Sequence, residues 1–299
     1  MGMDSRIGNL AERGKLVNAS WLLISGLLIA LLLSGPALAE EASLRDVTPS
    51  TILAPGQWEG KMFTSFYTQT KFFDENGERQ DAGARSTYAT IVGSILRGVT
   101  ARWNAGLDLT VRGVRDESFP QEDRERWALA SLAPKVKWAP FPSQPTLSVQ
   151  GSLSVPVASG QAGDTTEPFL DFGDLVAAAQ LFYDWRHSAS WLTYLEQGAF
   201  VRFAEVDEGE TAGADDAFTT ATKAIVNFYP TDAWTLYAAQ ELLFDWKKDD
   251  GPDWYFQTGL GAKRLLGDSF EAEILGTIFP AGRNKGAGST MGIGLRALW

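Results

Sequence analysis

The final stretch, Ser289–Trp299 (STMGIGLRALW), constrains the fold more than any other part of the sequence. Side chains on an extended strand alternate with period two. Met291, Ile293, Leu295, Ala297 and Trp299 therefore fall on one face, and Gly292, Gly294, Arg296 and Leu298 on the other. An apolar comb that ends on an aromatic suits a strand with one face in lipid. Glycines and an arginine on the opposite face suit a crowded or watery interior.

The beginning of the chain has a different character. Arg6, Arg13 and Lys15 lie in a polar leader, an apolar run follows from Trp21 to Leu33, and Ser34–Ala39 (SGPALA) offers a small-residue cleavage site. This three-part layout predicts a cleaved secretory signal peptide over residues 1–39. The apolar run is about 13 residues, short of the roughly 20 that a membrane-spanning helix needs. The chain has no cysteine, which excludes a lipid-modified N-terminus, a disulfide framework and a thiolate metal site. After residue 39 no apolar run is long enough for a membrane helix, so a membrane role must use strands. Residues 40–56 are expected to be a loosely ordered periplasmic lead-in, and 57–299 a single β-barrel.

Strands are expected near Gln57–Phe72, Ser86–Leu96, Ala101–Arg115, Trp127–Phe141, Thr146–Val157, Leu175–Arg186, Trp191–Val206, Phe218–Tyr229, Trp234–Trp246, Trp254–Leu266, Phe270–Pro280 and the C-terminal stretch. The connections alternate. Asp74–Gly83, Asp116–Arg126, a loop ending near Asp174, Asp207–Ala217, the DDGPD segment and AGRNKGAG are long. Arg97–Thr100, the Pro142–Pro145 turn, HSAS, PTDA and Gly267–Ser269 are short. An up-and-down barrel with short periplasmic turns and longer outer loops demands this alternation. Tryptophans fall at strand ends: Trp58, Trp103, Trp138, Trp185, Trp191, Trp234 and Trp299 beside the short turns, and Trp127, Trp246 and Trp254 at the loop side. Such placement gives two aromatic girdles at headgroup level. The expected fold is all-β, a transmembrane antiparallel up-and-down β-barrel of about twelve strands.

If the apolar combs face lipid, the opposite faces line the lumen. They carry Glu59, Lys61, Asp108, Arg112, Lys135, Lys137, Asp184, Arg186, Glu196, Arg202, Lys223, Glu241, Asp245, Lys247, Lys263, Glu271, Glu273 and Arg296. Lys or Arg facing the bilayer midplane would cost roughly 2–4 kcal/mol. Interleaved charges of both signs suit a water-filled pore. The alternative is a lumen plugged by ion pairs between them. Twelve strands enclose more space than eight, whose side chains just fill the interior, which favours a narrow channel.

Catalytic chemistry finds little support. The one histidine, His187, sits in the HSAS turn next to Ser188, poorly placed to take a proton from it. One histidine and no cysteine cannot build a His/Cys metal site. No enzyme activity, metal or cofactor is expected. The formal net charge of −11 is concentrated in the outer loops (Asp74–Glu78, Asp116–Glu125, Asp164–Asp174, Asp207–Asp216 and Asp249–Asp253), and nucleic acid is not an expected partner.

The closing comb resembles the C-terminal sorting strand of bacterial outer-membrane barrels, with Ile293, Leu295 and Ala297 before the terminal Trp299. The segments APGQWEGKMFTSFYTQTKFFDENGERQD and KVKWAPF resemble transporter-type outer-membrane barrels of the broad group that includes the MetA-pathway phenol-degradation proteins. That resemblance implies an outer-membrane location and outer-membrane lipid as surroundings. It also implies the barrel-assembly machinery as a partner of the last strand, and a small solute. The expected function is passive diffusion of small polar or amphipathic solutes, the alternative a non-conducting barrel that binds a partner at its surface.

Overall fold

The computed structural model describes residues 48–141, 146–203, 217–246 and 251–299. The expected signal peptide, the lead-in as far as residue 47, the turn at Pro142–Pro145, the loop Asp207–Asp216, Lys247 and Asp249 lie outside the described residues.

Strands make up the wall. They are β1 Trp58–Phe73, β2 Arg79–Thr100, β3 Trp103–Asp116, β4 Glu125–Trp138, β5 Leu147–Pro156, β6 Leu175–Ser188, β7 Trp191–Phe203, β8 Ala217–Thr231, β9 Trp234–Trp246, β10 Asp253–Leu265, β11 Phe270–Arg283, a two-residue β12 Lys285–Gly286, and β13 Ser289–Leu298. Each long strand pairs antiparallel with its sequence neighbour, and β1 pairs with both β2 and β13, so the sheet closes on itself. The closure runs from Glu59 opposite Leu298 to Thr68 opposite Ser289. The backbones of Trp58 and Trp299 complete it, each amide donating to the other's carbonyl at 2.7 and 3.0 Å. A closed ring leaves no edge of unpaired amides and carbonyls, which is the condition for a sheet in hydrocarbon. Twelve spanning strands result, with β12 an extra pairing that touches β1 beyond the end of β13.

Period two holds around the ring. Met62, Phe66, Ile95, Leu107, Leu109, Leu181, Leu236, Leu260, Ile274, Ile278, Met291, Ile293 and Leu295 are all exposed on the outer face. This continuous apolar belt is the surface that lipid covers. Buried apolar side chains are few, and their two clusters lie inside near the short turns: Leu53 with Leu96 and Leu298, and Phe182 with Leu192 and Tyr194.

Element bounds depart from the sequence pattern in four places. β2 starts at Arg79, so the first loop contracts to a turn at Asp74–Glu78; Gly83, at φ 75°, sits within the strand near a register shift between Gln69 and Lys71. β2 also continues through the expected break at Arg97–Thr100, because ladder partners on β3 are present there. β6 runs on to Ser188, which leaves His187 at a strand end. β11 extends to Arg283 and is followed directly by β12, so much of the glycine-rich return AGRNKGAG is sheet. Backbone pairing, which the charged and glycine-rich composition hides, decides all four. The β4–β5 ladder skips Ala133 and Pro134, where proline lacks an N–H to donate.

Outside the membrane, the first turn is organised by one carboxylate. Asp74 accepts from Gln80 Nε2 at 2.8 Å and from the amides of Asn76 and Glu78 at 2.9 Å each. These bonds, the Gln80 bond foremost, hold its carboxyl below the usual value of 3.8. A depressed carboxylate stabilises the folded turn above the unfolded pKa and loses that contribution as pH falls through the folded one. The Asn76 and Glu78 amide resonances are therefore expected to stay fixed above pH 4 and to move only as pH drops below the ordinary aspartate range. Asp74→Ala is expected to show the displaced positions at every pH.

Candidate functional site: the lumen of the barrel

The inner face is set by the same alternation that sets the belt. Lys61 opposite Arg296 and Ser94, and Glu196 opposite Lys223 opposite Glu241, mark inward positions strand by strand. Ion pairs among the described residues of the expected set show how the interior is arranged. Lys223 lies 3.0 Å from Glu241 and 4.0 Å from Glu196, linking β7, β8 and β9. Lys135 pairs with Asp108 and donates to Ser94 at 2.7 Å, linking β4, β3 and β2. Arg296 lies 3.4 Å from Glu271 and 3.9 Å from Glu59, and Lys61 is 3.0 Å from Glu59. Lys263 is 3.8 Å from Glu273. Apart from Lys61–Glu59 within β1, these pairs join neighbouring strands and run along the wall. They neutralise the interior without crossing it.

Other expected lumen residues pair with groups from the loops. Arg112 reaches Asp171 at 2.7 Å and Arg202 reaches Asp174 at 3.4 Å, both acids belonging to the chain between β5 and β6. Arg126 donates to the carbonyls of Pro168 and Gly160, and Leu170 is buried, so this loop folds inward over the loop-side mouth. Asp245 lies 3.0 Å from Lys285, a residue that the sequence pattern placed in a loop. Arg186 keeps the inward register of Asp184 but stands exposed at the short-turn end, so it belongs to the rim.

The larger surprise is the segment before β1. Residues 48–57 lie against inward-facing side chains at the short-turn end. Thr48 and Ser50 both donate to the Asp184 carboxylate, Lys137 Nζ donates to the Pro49 carbonyl at 2.7 Å, and the Leu53 amide donates to Asn104 Oδ1 at 3.1 Å. Leu53 has no exposed surface and packs on Leu96, Leu298 and Leu265. Its contacts thus reach β2, β3, β4, β6, β10 and β13. The expectation of a loose lead-in does not hold for residues 48–56: they are fixed across the mouth, because a twelve-strand ring leaves space there that side chains alone do not fill. Gly98 makes room for the crossing, since a Cβ there would come 1.9 Å from the Ala54 carbonyl oxygen.

Above this segment the lumen holds a cavity of about 520 Å³. Phe63, Tyr67, Tyr237, Tyr255 and Phe279 contribute rings to it, and Lys223, Glu241, Glu273 and Lys285 contribute charges. Tyr255 donates to Glu241 at 2.6 Å and Tyr237 donates to Glu273, so the phenols present ring faces while their hydroxyls are held. Tyr67 and Tyr255 each meet Phe279 edge-on, at 5.2 and 5.1 Å between centroids. Phe63 lies over Gly292 and Gly294, where a Cβ would approach its ring to 2.6 and 3.0 Å. A listing of charges could not reveal these rings. Their inward parity was readable, but the local glycines that seat them only make sense once β13 lies beside β1.

His187 is exposed at its strand end, with Nε2 2.8 Å from Thr193 Oγ1 and its ring 4.4 Å from that of Trp185. Among the described residues no group of three or more His, Cys, Asp or Glu side chains forms a metal-binding cluster.

Lys223→Met is expected to destabilise the barrel by about 1–2 kcal/mol, since it strands two part-buried carboxylates while solvent screens some of the loss. Unfolding of the purified barrel in denaturant measures it.

No protein-family model matches the sequence, and no curated protein matches it either. Solved structures do match. The crystal structure of an outer-membrane channel from Pseudomonas putida F1 aligns over 85% of this chain and 99% of that one, with a TM-score of 0.69 at 10% identity. The beta domain of the Bordetella autotransporter BrkA aligns over 82% of this chain and 100% of that one, with a TM-score of 0.55 at 12% identity. Together with the closed antiparallel ring and its apolar belt, these likenesses make the fold that of a bacterial outer-membrane β-barrel.

Proposed function

We propose that the chain is an outer-membrane channel through which small polar or amphipathic solutes diffuse, with residues 48–57 as the constriction that limits it. The observation that carries this reading is the pairing of interior charges along the wall, which leaves a cavity of about 520 Å³ open between the strands. A lumen built to be solid would spend its charges across the centre. The aromatic faces around Phe279 favour planar or amphipathic solutes, and the balanced Lys223/Glu241 and Lys285/Asp245 pairs favour no strong charge on them. The expected lumen residues Glu59, Lys61, Asp108, Arg112, Lys135, Lys137, Asp184, Glu196, Arg202, Lys223, Glu241, Asp245, Lys263, Glu271, Glu273 and Arg296 act in this proposal as the polar lining. Arg186 acts as a rim charge.

A second reading is a barrel that does not conduct. The seating of Thr48–Gln57 across the short-turn mouth favours it. Planar-bilayer recording separates the two. The full protein is expected to give small current steps, and Leu53→Ala combined with Asp184→Ala is expected to enlarge them several-fold by freeing the crossing segment. Silence from both proteins, each shown to be folded by its heat-dependent gel mobility, sinks the channel. Lys223→Met in the same assay is expected to move the reversal potential toward cation preference, because Glu196 and Glu241 lose their counter-charge.

A further inference from the structure

Most lysines and arginines of the interior have a carboxylate beside them. Two arginines on the outer face do not. Arg97 lies near the end of β2 and Arg264 near the end of β10, both at the short-turn rim. Arg97 is in register with Trp58 of β1 and Arg264 with Trp234 of β9, so each shares the lipid-facing side with an indole. The guanidinium of Arg97 sits 5.1 Å from the Trp58 ring centroid, and that of Arg264 sits 5.3 Å from the Trp234 ring. Both arginines are exposed, and among the described residues neither forms an ion pair.

The wall between them is apolar. β1, β13 and β11 separate the two positions, and they present Trp299 at 61% exposure and Phe270 at 59%, with Leu266 beyond β10 also exposed. The Trp299 ring lies beside Gly60, where a Cβ would come within 3.1 Å of it. The result is a greasy shelf flanked by two cations, each within cation–π range of an indole.

Arginine on the lipid side of a barrel is tolerated near the interface, where its cost falls to about 0–1 kcal/mol, and not at the midplane. Attraction to the face of an indole uses the charge of the guanidinium and none of its N–H donors, which stay available to a ligand. It also restricts the side chain before any ligand arrives, which lowers the entropy lost on binding. Two parallel N–H donors match two oxygens of a phosphodiester. The short-turn end of such a barrel faces the periplasm, and the leaflet there consists of glycerophospholipid.

We propose that Arg97 with Trp58, and Arg264 with Trp234, form two binding sites for the phosphate of an anionic glycerophospholipid, whose acyl chains lie against Trp299, Phe270 and Leu266. Four strand intervals of about 4.8 Å separate the two arginines along the wall, roughly 19 Å. The sites therefore hold two separate lipids and not one doubly charged headgroup. The proposal is independent of whether the lumen conducts.

Native mass spectrometry of the folded barrel, titrated with phosphatidylglycerol and in parallel with phosphatidylcholine, tests it. Up to two phosphatidylglycerol molecules are expected to be retained, at about tenfold lower lipid concentration than phosphatidylcholine. Arg97→Gln and Arg264→Gln are each expected to remove one of them, and the double variant both. Arg97→Lys, which keeps the charge but not the fork, is expected to weaken its site without abolishing it. Equal retention of the two lipids overturns the assignment to an anionic headgroup. An unchanged adduct pattern in the double variant, with heat-dependent gel mobility intact, overturns the sites themselves.

Discussion

Hydrogen bonding between the first and last strands is the constraint on which the rest of this structure depends. Hydrocarbon offers no partner to a backbone amide or carbonyl, so a strand that enters it must be paired on both edges. β1 meets that condition only because β13 returns to it, from Thr68 opposite Ser289 to the mutual backbone bonds of Trp58 and Trp299. The apolar comb of β13 is thus the outer face of a seam. Its glycines are there because Phe63 of the neighbouring strand occupies the space their side chains would take. An even number of spanning strands follows, with both ends of the barrel chain on the short-turn side.

Once the ring is closed, alternation commits every second residue to the interior, whatever its charge. The charges are accommodated by neighbours on adjacent strands: Glu196, Lys223 and Glu241 in one row, Glu271, Arg296 and Glu59 in another. Each row satisfies itself along the wall, so the ring does not need charges to meet across its centre. What fills part of the remaining volume comes from outside the wall. Residues 48–57 cross at the short-turn end, and the chain between β5 and β6 folds in at the other through Arg112–Asp171 and the Arg126 contacts to Pro168 and Gly160.

Aromatic residues divide by face. Outward tryptophans such as Trp58, Trp185, Trp191, Trp234 and Trp246 collect at the strand ends, where an amphipathic indole sits between headgroup and acyl chain. Three inward tyrosines are tied through their hydroxyls to glutamates, Tyr194 to Glu196 at 2.7 Å, Tyr255 to Glu241 at 2.6 Å and Tyr237 to Glu273, while Tyr67 donates to Gln69 at 2.7 Å. The same residue class therefore anchors the barrel in its lipid and shapes the cavity within it. Arg97 and Arg264 add to the outer girdle a charge that the inner wall would have neutralised.

The sequence by itself determined the wall. Period-two alternation is local: it needs no partner to be visible, and it announced the class of fold and the spanning strands. The exact strand ends escaped it, because ladder pairing extends β2 over Arg79–Thr100 and β11 to Arg283 through charged and glycine-rich segments that carry no apolar rhythm. Only the tertiary structure decided which charges pair with which, that Lys285 faces Asp245, and that Thr48–Gln57 lies inside the mouth. Those facts depend on the register and curvature of the closed ring, which bring together residues from 40 positions apart, as Lys285 and Asp245 are, to 136, as Thr48 and Asp184 are, and no local pattern in either partner encodes the meeting.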